Sequence, residues 1–281
     1  MQFKSAILPC QKYFGCHPGH NELYSTDGEL VYMVCNDCGL IWRSPESMHI
    51  KKDYGQPYFD SKKYSEKRRH KVNKSGWLLD IARRFKPGIA EMLEIGCSLG
   101  YTLEAAAKRG INALGTDISG YAVNYCRNLG FNAENITVEK IIEEQKSFDL
   151  VFMQHVLEHF PDPFEILQKC HRLLNPGGLV LIMVPNSEYR NARKKKAQHR
   201  FYSIDGVGAE HYVYFNYRNL RQMQEISGFK VLQQNYPFFV KGKYNPVFFL
   251  NRIFRRSLSM VGSDQEILVI AEKAKVTNQG T

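Results

Sequence analysis

Two sets of residues in this sequence have the types and spacing to do chemistry. The first is Leu93-Glu-Ile-Gly-Cys-Ser-Leu-Gly-Tyr101, an apolar run that ends in Glu94 and the glycines Gly96 and Gly100. Glycine lets a ligand approach the backbone, and the free N–H groups at the start of a following helix face whatever binds there. A second apolar run, Ala113-Leu-Gly-Thr116, ends at Asp117. An acidic side chain at the tip of the next strand suits the hydroxyls of a ribose. The glycines follow G-x-x-x-G rather than the dinucleotide pattern G-x-G-x-x-G, so a nicotinamide cofactor fits poorly.

The second set is Cys35-x-x-Cys38-Gly39 with Cys10 and Cys16 upstream. Cys-x-x-Cys-Gly is a metal-knuckle spacing, with the glycine closing a tight turn. Cys10 and Cys16 supply the remaining thiolates of a closed tetrahedral zinc site. Their gap is longer than the usual spacing of roughly two to four residues, and His17 and His20 are alternative ligands. A structural zinc is expected here, because a segment this short has too little core to fold alone.

Hydrophobic periodicity supplies the elements that must hold these residues. Strands are expected at 91–96, 111–116, 148–153, 178–184, 229–236 and 265–272, with a weaker one near 134–138. Helices are expected at 101–109, 119–129, 163–174 and 217–227. Another includes Trp77, Leu78, Ile81, Ala82 and Phe85 and is stopped by Pro87-Gly88. Alternation of this kind predicts an α/β protein with a mostly parallel sheet covered on both faces. Three parts follow: a zinc-binding segment, 1–45; a helical linker, 46–88, contributing to the pocket; and the ligand-binding domain, 89–281. That domain contains a lid at 187–212 and an aromatic–basic insertion at 237–260.

Glu94-Ile-Gly-Cys-Ser-Leu-Gly100, Gly115-Thr-Asp117-Ile-Ser, Phe148-Asp-Leu-Val-Phe-Met-Gln-His155-Val-Leu-Glu-His159 and Leu174-Asn-Pro-Gly-Gly-Leu-Val-Leu-Ile resemble class I S-adenosylmethionine-dependent methyltransferases, in that family's order and spacing. The resemblance implies a Rossmann-like sheet with its last strand antiparallel. It puts Glu94 behind the glycine turn, Gly96, Cys97, Ser98 and Gly100 against the methionine part of the cofactor, Asp117 on the ribose and Ile118 beside the adenine. Gln154 and His155, where the fourth strand ends, and Tyr58 from the linker complete the expected cofactor residues. Cys97 is expected to pack rather than react.

The resemblance also extends to Glu210-His211. Small-molecule members, some sugar methyltransferases among them, place a histidine here facing the acceptor, where a neutral imidazole can take a proton. Glu210 is expected to orient that ring or to touch substrate. His155 and His159 stand at i and i+4, but His-Val-Leu-Glu-His is not His-Glu-x-x-His, and the segment reads as structural. The zinc segment, followed by Tyr54 and Tyr58-Phe59, resembles the arrangement in methyltransferases of bacterial sugar and polysaccharide pathways.

Net charge is +10, concentrated between Lys62 and Lys74 and between Arg190 and Arg200. Such a balance favours anionic partners, although the first run reads as a solvated face that keeps the protein soluble. The expected acceptor is therefore a phosphorylated small molecule: a nucleotide sugar or a lipid-linked glycan precursor. The stretch 237–256 has the composition either to rest on a membrane surface or to pack as an insertion. No secretory signal or membrane span is evident, and cysteine usage favours a reducing compartment, so a cytoplasmic location is expected. Two other functions compete. A nucleic-acid methyltransferase would suit the zinc segment and the charge, but Met153-Gln-His-Val replaces the Asn/Asp-Pro-Pro-aromatic motif of base-amine chemistry. A non-catalytic cofactor-binding module is the other alternative.

Overall fold

The computed structural model describes residues 9–17, 19–27, 29–49, 54–59, 67–188, 211–234, 239–240, 243–244 and 266–274. Its chain order opens with helix α1 (Pro9–Phe14) and strands β1 (Asn21–Asp27), β2 (Leu30–Cys35) and β3 (Ile41–Arg43). Helices α2 (Gln56–Phe59) and α3 (Arg68–Phe85) follow. Next come β4 (Glu91–Ile95), α4 (Tyr101–Ala107), β5 (Asn112–Thr116), α5 (Gly120–Asn128), β6 (Ala133–Glu134), α6 (Val138–Glu143) and β7 (Phe148–Gln154). The remaining elements are α7 (Pro163–Leu173), β8 (Leu174–Pro185), β9 (Val213–Tyr214), α8 (Tyr217–Ile226), β10 (Phe229–Gln234), a small ribbon of β11 (Phe239–Val240) and β12 (Lys243–Tyr244), and β13 (Glu266–Lys273).

Seven strands form the main sheet, in the order β10-β13-β8-β7-β4-β5-β6. Strands β4 to β8 pair in parallel, whereas β13 runs antiparallel to both β8 and β10. This is the Rossmann-like class expected from the sequence. The sheet is covered on both faces, so its inner strands read as unbroken apolar runs. Alternate residues feed opposite layers. Leu93, Val151, Val180 and Ile182 pack with Leu167 and Cys170 of α7 and Met223 of α8. Met92, Phe152, Leu181 and Met183 pack with Leu78, Leu79 and Ala82 of α3.

One expectation needs correction, and one helix extends beyond its sequence signal. The weak strand near 134–138 ends at Glu134, and Val138 begins helix α6. Asn135 leaves the sheet to donate its side-chain amide to the Asp117 carbonyl at 2.7 Å. Helix α3 starts at Arg68, well before Trp77. Its basic first half reads as solvated, yet Val72, Ser75 and Gly76 are buried and Arg68 pairs with Glu104 at 2.8 Å.

The N-terminal strands form a separate four-stranded sheet, β1-β2-β3-β9, whose last strand comes from residues 213–214. The segment expected to bind zinc therefore shares a sheet with the chain that follows the expected lid. Cys35, Cys38, Leu40 and Trp42 belong to the same buried cluster as Val151 and Val184. Most of the lid expected at 187–212 and most of the insertion expected at 237–260 lie outside the described residues, as does the basic run 190–200.

Candidate functional site

At the C-terminal end of β4 the chain turns sharply into α4. The Gly96 N–H donates to Thr116 O at 2.7 Å and the Cys97 N–H to the same carbonyl at 2.9 Å, which ties the turn to β5. Gly96 has φ +74, and a β-carbon there would fall on Val156 well inside contact distance. Only glycine meets both demands. Ser98 is also left-handed, at φ 50, and its N–H donates to Asp117 Oδ2 at 2.8 Å. Asp117 Oδ1 accepts from the Ser119 N–H at 2.9 Å. Burial pushes the Asp117 carboxyl up, against the two N–H groups that hold it down. Each oxygen carries one protein hydrogen bond and keeps a lone pair for a ribose hydroxyl.

The arrangement fits the expected cofactor. Ile118, 78% exposed, presents an unusual bare apolar side chain beside Asp117, where an adenine face would cover it. Glu94 is buried behind the turn, its carboxyl raised well above the usual range by burial against a hydrogen bond from Thr102. Cys97 packs: its hydrogen bond with Cys126 and its burial push the thiol far above the ordinary range, so it is no nucleophile. The Gly100 N–H donates to Cys97 O at 2.9 Å and starts α4. Gln154 is half-buried at the end of β7, and Tyr58 stacks edge-on to Tyr54 with ring centres 5.1 Å apart. Replacing Gly96 with alanine should weaken S-adenosylmethionine binding at least tenfold by calorimetry. Gly110→Ala, at φ +66 with nothing within 4 Å, is the control that carries backbone strain alone, about 1–2 kcal/mol.

Beyond β7 the structure assembles a polar cluster that the sequence does not announce. His155 is left-handed, at φ 56. Its Nε2 lies 2.7 Å from Glu266 Oε1 and its Nδ1 3.5 Å from Glu158 Oε1. Burial disfavours its imidazolium, but Glu158 and Glu266 override that and raise its pKa to about 9. Glu266 also pairs with Lys74 at 2.8 Å. Glu158 is completely buried on a single turn of 3₁₀-helix, Leu157–His159. Burial pushes its carboxyl up, yet the neighbouring imidazoles hold it below the usual range, hence ionised.

His211 is buried and lies against this carboxylate, with its Nε2 3.9 Å from Glu158 Oε1. Its ring packs edge-on to His159 at 4.7 Å and to Tyr214 at 5.1 Å. The backbone fixes it as well. The His211 carbonyl accepts from Tyr32 Oη at 3.0 Å and from Arg43 Nη2 at 3.1 Å, and the Tyr212 N–H donates to Glu158 O at 2.8 Å. The N-terminal sheet thus positions His211. Glu210, expected beside it, lies outside the described residues; Glu158 is the carboxylate that faces the His211 ring.

Cys10, Cys16, Cys35 and Cys38 converge, their four sulfurs all within 4.8 Å of one another. The knuckle is formed: Gly39 has φ 71 and its N–H donates to Cys35 O at 2.8 Å. Without a cation, burial and the neighbouring thiols push Cys16 up to about 12. A soft divalent ion is what would let such a cluster ionise. Among the alternatives, His20 instead pairs with Asp37 at 2.9 Å. The donor set therefore fits the expected tetrahedral zinc.

Spacing and resemblance single out the glycine turn, Asp117, His211 and the cysteines as candidates, and the structure places them as described above. Spacing missed the pairing of His211 with Glu158 and His159, because i, i+4 logic paired His159 with His155 on a helix that does not form.

Comparisons with known proteins agree with this geometry. A methyltransferase-domain family matches residues 64–234, more than half of the chain. A ubiquinone biosynthesis O-methyltransferase of Pseudomonas aeruginosa (strain UCBPP-PA14) is 35% identical over 136 residues, 43% of this chain and 51% of its own. Its counterpart in Methylococcus capsulatus is 36% identical over 126 residues, 42% of this chain and 49% of its own. The chain thus spans about half the length of these curated relatives. Among solved structures, a SAM-dependent methyltransferase from Archaeoglobus fulgidus superposes with a TM-score of 0.55 at 20% identity, covering 79% of this chain and all of its own. The plantazolicin methyltransferase BpumL, in complex with SAH, gives 0.54 at 14% identity, covering 78% of this chain and 93% of its own. With the family match over more than half its length, the strand order and the glycine turn in agreement, the chain belongs to the class I S-adenosylmethionine-dependent methyltransferases.

Proposed function

We propose that this protein methylates a hydroxyl of a small-molecule acceptor, a sugar within a nucleotide-sugar or lipid-linked glycan precursor. The observation that carries the reading is the His211–Glu158 pair, buried 3.9 Å apart at the same edge of the sheet as the cofactor turn. S-adenosylmethionine, when bound, supplies an electrophilic methyl group on a sulfonium. The acceptor oxygen forms the new bond to carbon as the carbon–sulfur pair leaves with sulfur, and the hydroxyl proton must go elsewhere. His211, with an ionised carboxylate behind it, promotes the loss of that proton. The net charge of +10 supports a phosphorylated acceptor. The four cysteines hold a structural zinc that keeps the N-terminal sheet, and through it His211, in place.

A second reading has a specific observation behind it: the curated relatives named above are ubiquinone biosynthesis O-methyltransferases, which favours an acceptor belonging to ubiquinone biosynthesis. Their aligned share is about half of each protein, which leaves room for a different acceptor. Release of S-adenosylhomocysteine, measured with a set of nucleotide sugars and with a prenylated catechol, separates the two. Turnover with a nucleotide sugar alone supports the glycan reading, and turnover with the catechol alone rejects it. Among the described residues no helix is long and apolar enough to cross a membrane, so a lipid-linked acceptor would be met at the bilayer surface.

A further inference from the structure

Glu158, His159 and His211 each offer one ligand atom, and the three atoms lie within 4.8 Å of one another. We propose that these side chains hold a divalent first-row cation whose remaining coordination positions face the acceptor. The inference deepens the proposed function and rests on it only for the identity of what the ion would meet; the site itself stands on geometry.

Two imidazoles and one carboxylate are a ligand set for divalent zinc, manganese, iron or cobalt, and three protein ligands leave positions open. The four-cysteine cluster is the opposite case, closed and sulfur-only. In a tetrahedral site, two ligand atoms at about 2.1 Å from the ion stand about 3.4 Å apart. His211 Nε2 and Glu158 Oε1, 3.9 Å apart, would close by about half an ångström to share an ion. The widest separation in the trio, within 4.8 Å, would close by at most about 1.4 Å through side-chain adjustment.

The decisive observation is Glu158. It is completely buried, and neither of its carboxylate oxygens has a hydrogen-bond partner. A buried carboxylate without a hydrogen-bond partner is costly, and a cation is a group that would satisfy it. His155 Nδ1 stands off at 3.5 Å, and that ring has a closer partner in Glu266 at 2.7 Å. The His155 contact with Glu158 is thus a long ion pair. One histidine ligand has a group behind its ring, as metal-binding rings usually do: Tyr54 Oη lies 3.3 Å from His159 Nδ1. The other, His211, is fixed through its backbone carbonyl by Tyr32 and Arg43. Such an ion would lower the pKa of an acceptor hydroxyl, whose proton would then pass to solvent water, and His211 would promote that loss as a ligand of the ion.

The test is binding of Mn²⁺ to the full chain, carried out on protein dialysed against chelator that retains one thiolate-bound zinc. Free Mn²⁺ is read from its paramagnetic resonance signal, with no turnover required, and Co²⁺ absorption serves as a second probe. The expected result is one further ion per chain, with affinity reduced at least tenfold in His159→Ala and Glu158→Gln. The half-exposed His159 provides the safer variant, and an unchanged thermal midpoint shows that it folds. Absence of saturable binding of either ion, or binding unaffected in both variants, overturns the site. Binding without methyl transfer to any hydroxyl acceptor would leave the site standing and reject the acceptor reading.

Discussion

Replacing His211 with alanine is expected to lower the turnover of methyl transfer by about 10²–10⁴-fold, the range for removing a group that handles a proton in the transition state. S-adenosylmethionine affinity should be unchanged, because none of the contacts of the glycine turn or of Asp117 involves His211. The loss belongs in kcat rather than in cofactor binding, since the variant would still hold the donor and lack only the means to release the acceptor's proton. Calorimetry with the cofactor and steady-state kinetics with the acceptor check the two halves separately. A fall in both would point to a collapse of the packing around Tyr214 and His159 instead.

Changing Cys35 and Cys38 to serine should have the second large effect, at a distance from the chemistry. Binding of a structural zinc contributes about 10–16 kcal/mol in small cysteine-rich units, and the proposed ion would add to the buried contacts that tie this segment to the main core. Without the ion, β2 and β3 lose their anchor. The path from there to the active site is short. Asn216 Nδ2 donates to Cys38 O at 2.8 Å, β3 pairs with β9, and Arg43 and Tyr32 hold the His211 carbonyl. The double variant is expected to lose its zinc, to lower its thermal midpoint and to lower turnover at least tenfold, with cofactor binding retained. Metal analysis, circular dichroism and the same pair of binding and kinetic measurements check it. Full turnover in zinc-free protein would detach the N-terminal sheet from function.

Much of the cofactor half was legible in the sequence because its chemistry is local. Gly96, Ser98 and Asp117 lie on two consecutive strand–helix turns, where residue type, spacing and the end of an apolar run all coincide. The strands β4, β5, β7 and β8 read clearly for the same reason, as buried parallel strands leave continuous apolar stretches. The acceptor half was less legible. Glu158 and His211 come together through β9, a strand of only 2 residues that pairs across to β3, and no periodicity signals so short an element. The first half of helix α3 was less legible because its buried residues, Val72, Ser75 and Gly76, are few and mostly small among arginines and lysines. The segment after Asp117 misled in the other direction. Ile136 and Val138 suit a strand by type, but the chain has already left the sheet at Asn135.

The central claim is that a hydroxyl-bearing small molecule receives the methyl group at the His211 cluster. Its most direct test is to incubate the protein with methyl-labelled S-adenosylmethionine and a cell extract separated into nucleotide-sugar, glycolipid, isoprenoid-phenol, protein and nucleic-acid fractions. Label in a sugar fraction, as a methyl ether and lost with His211→Ala, is the predicted result. Label in protein or nucleic acid, or label that survives loss of His211, would contradict it.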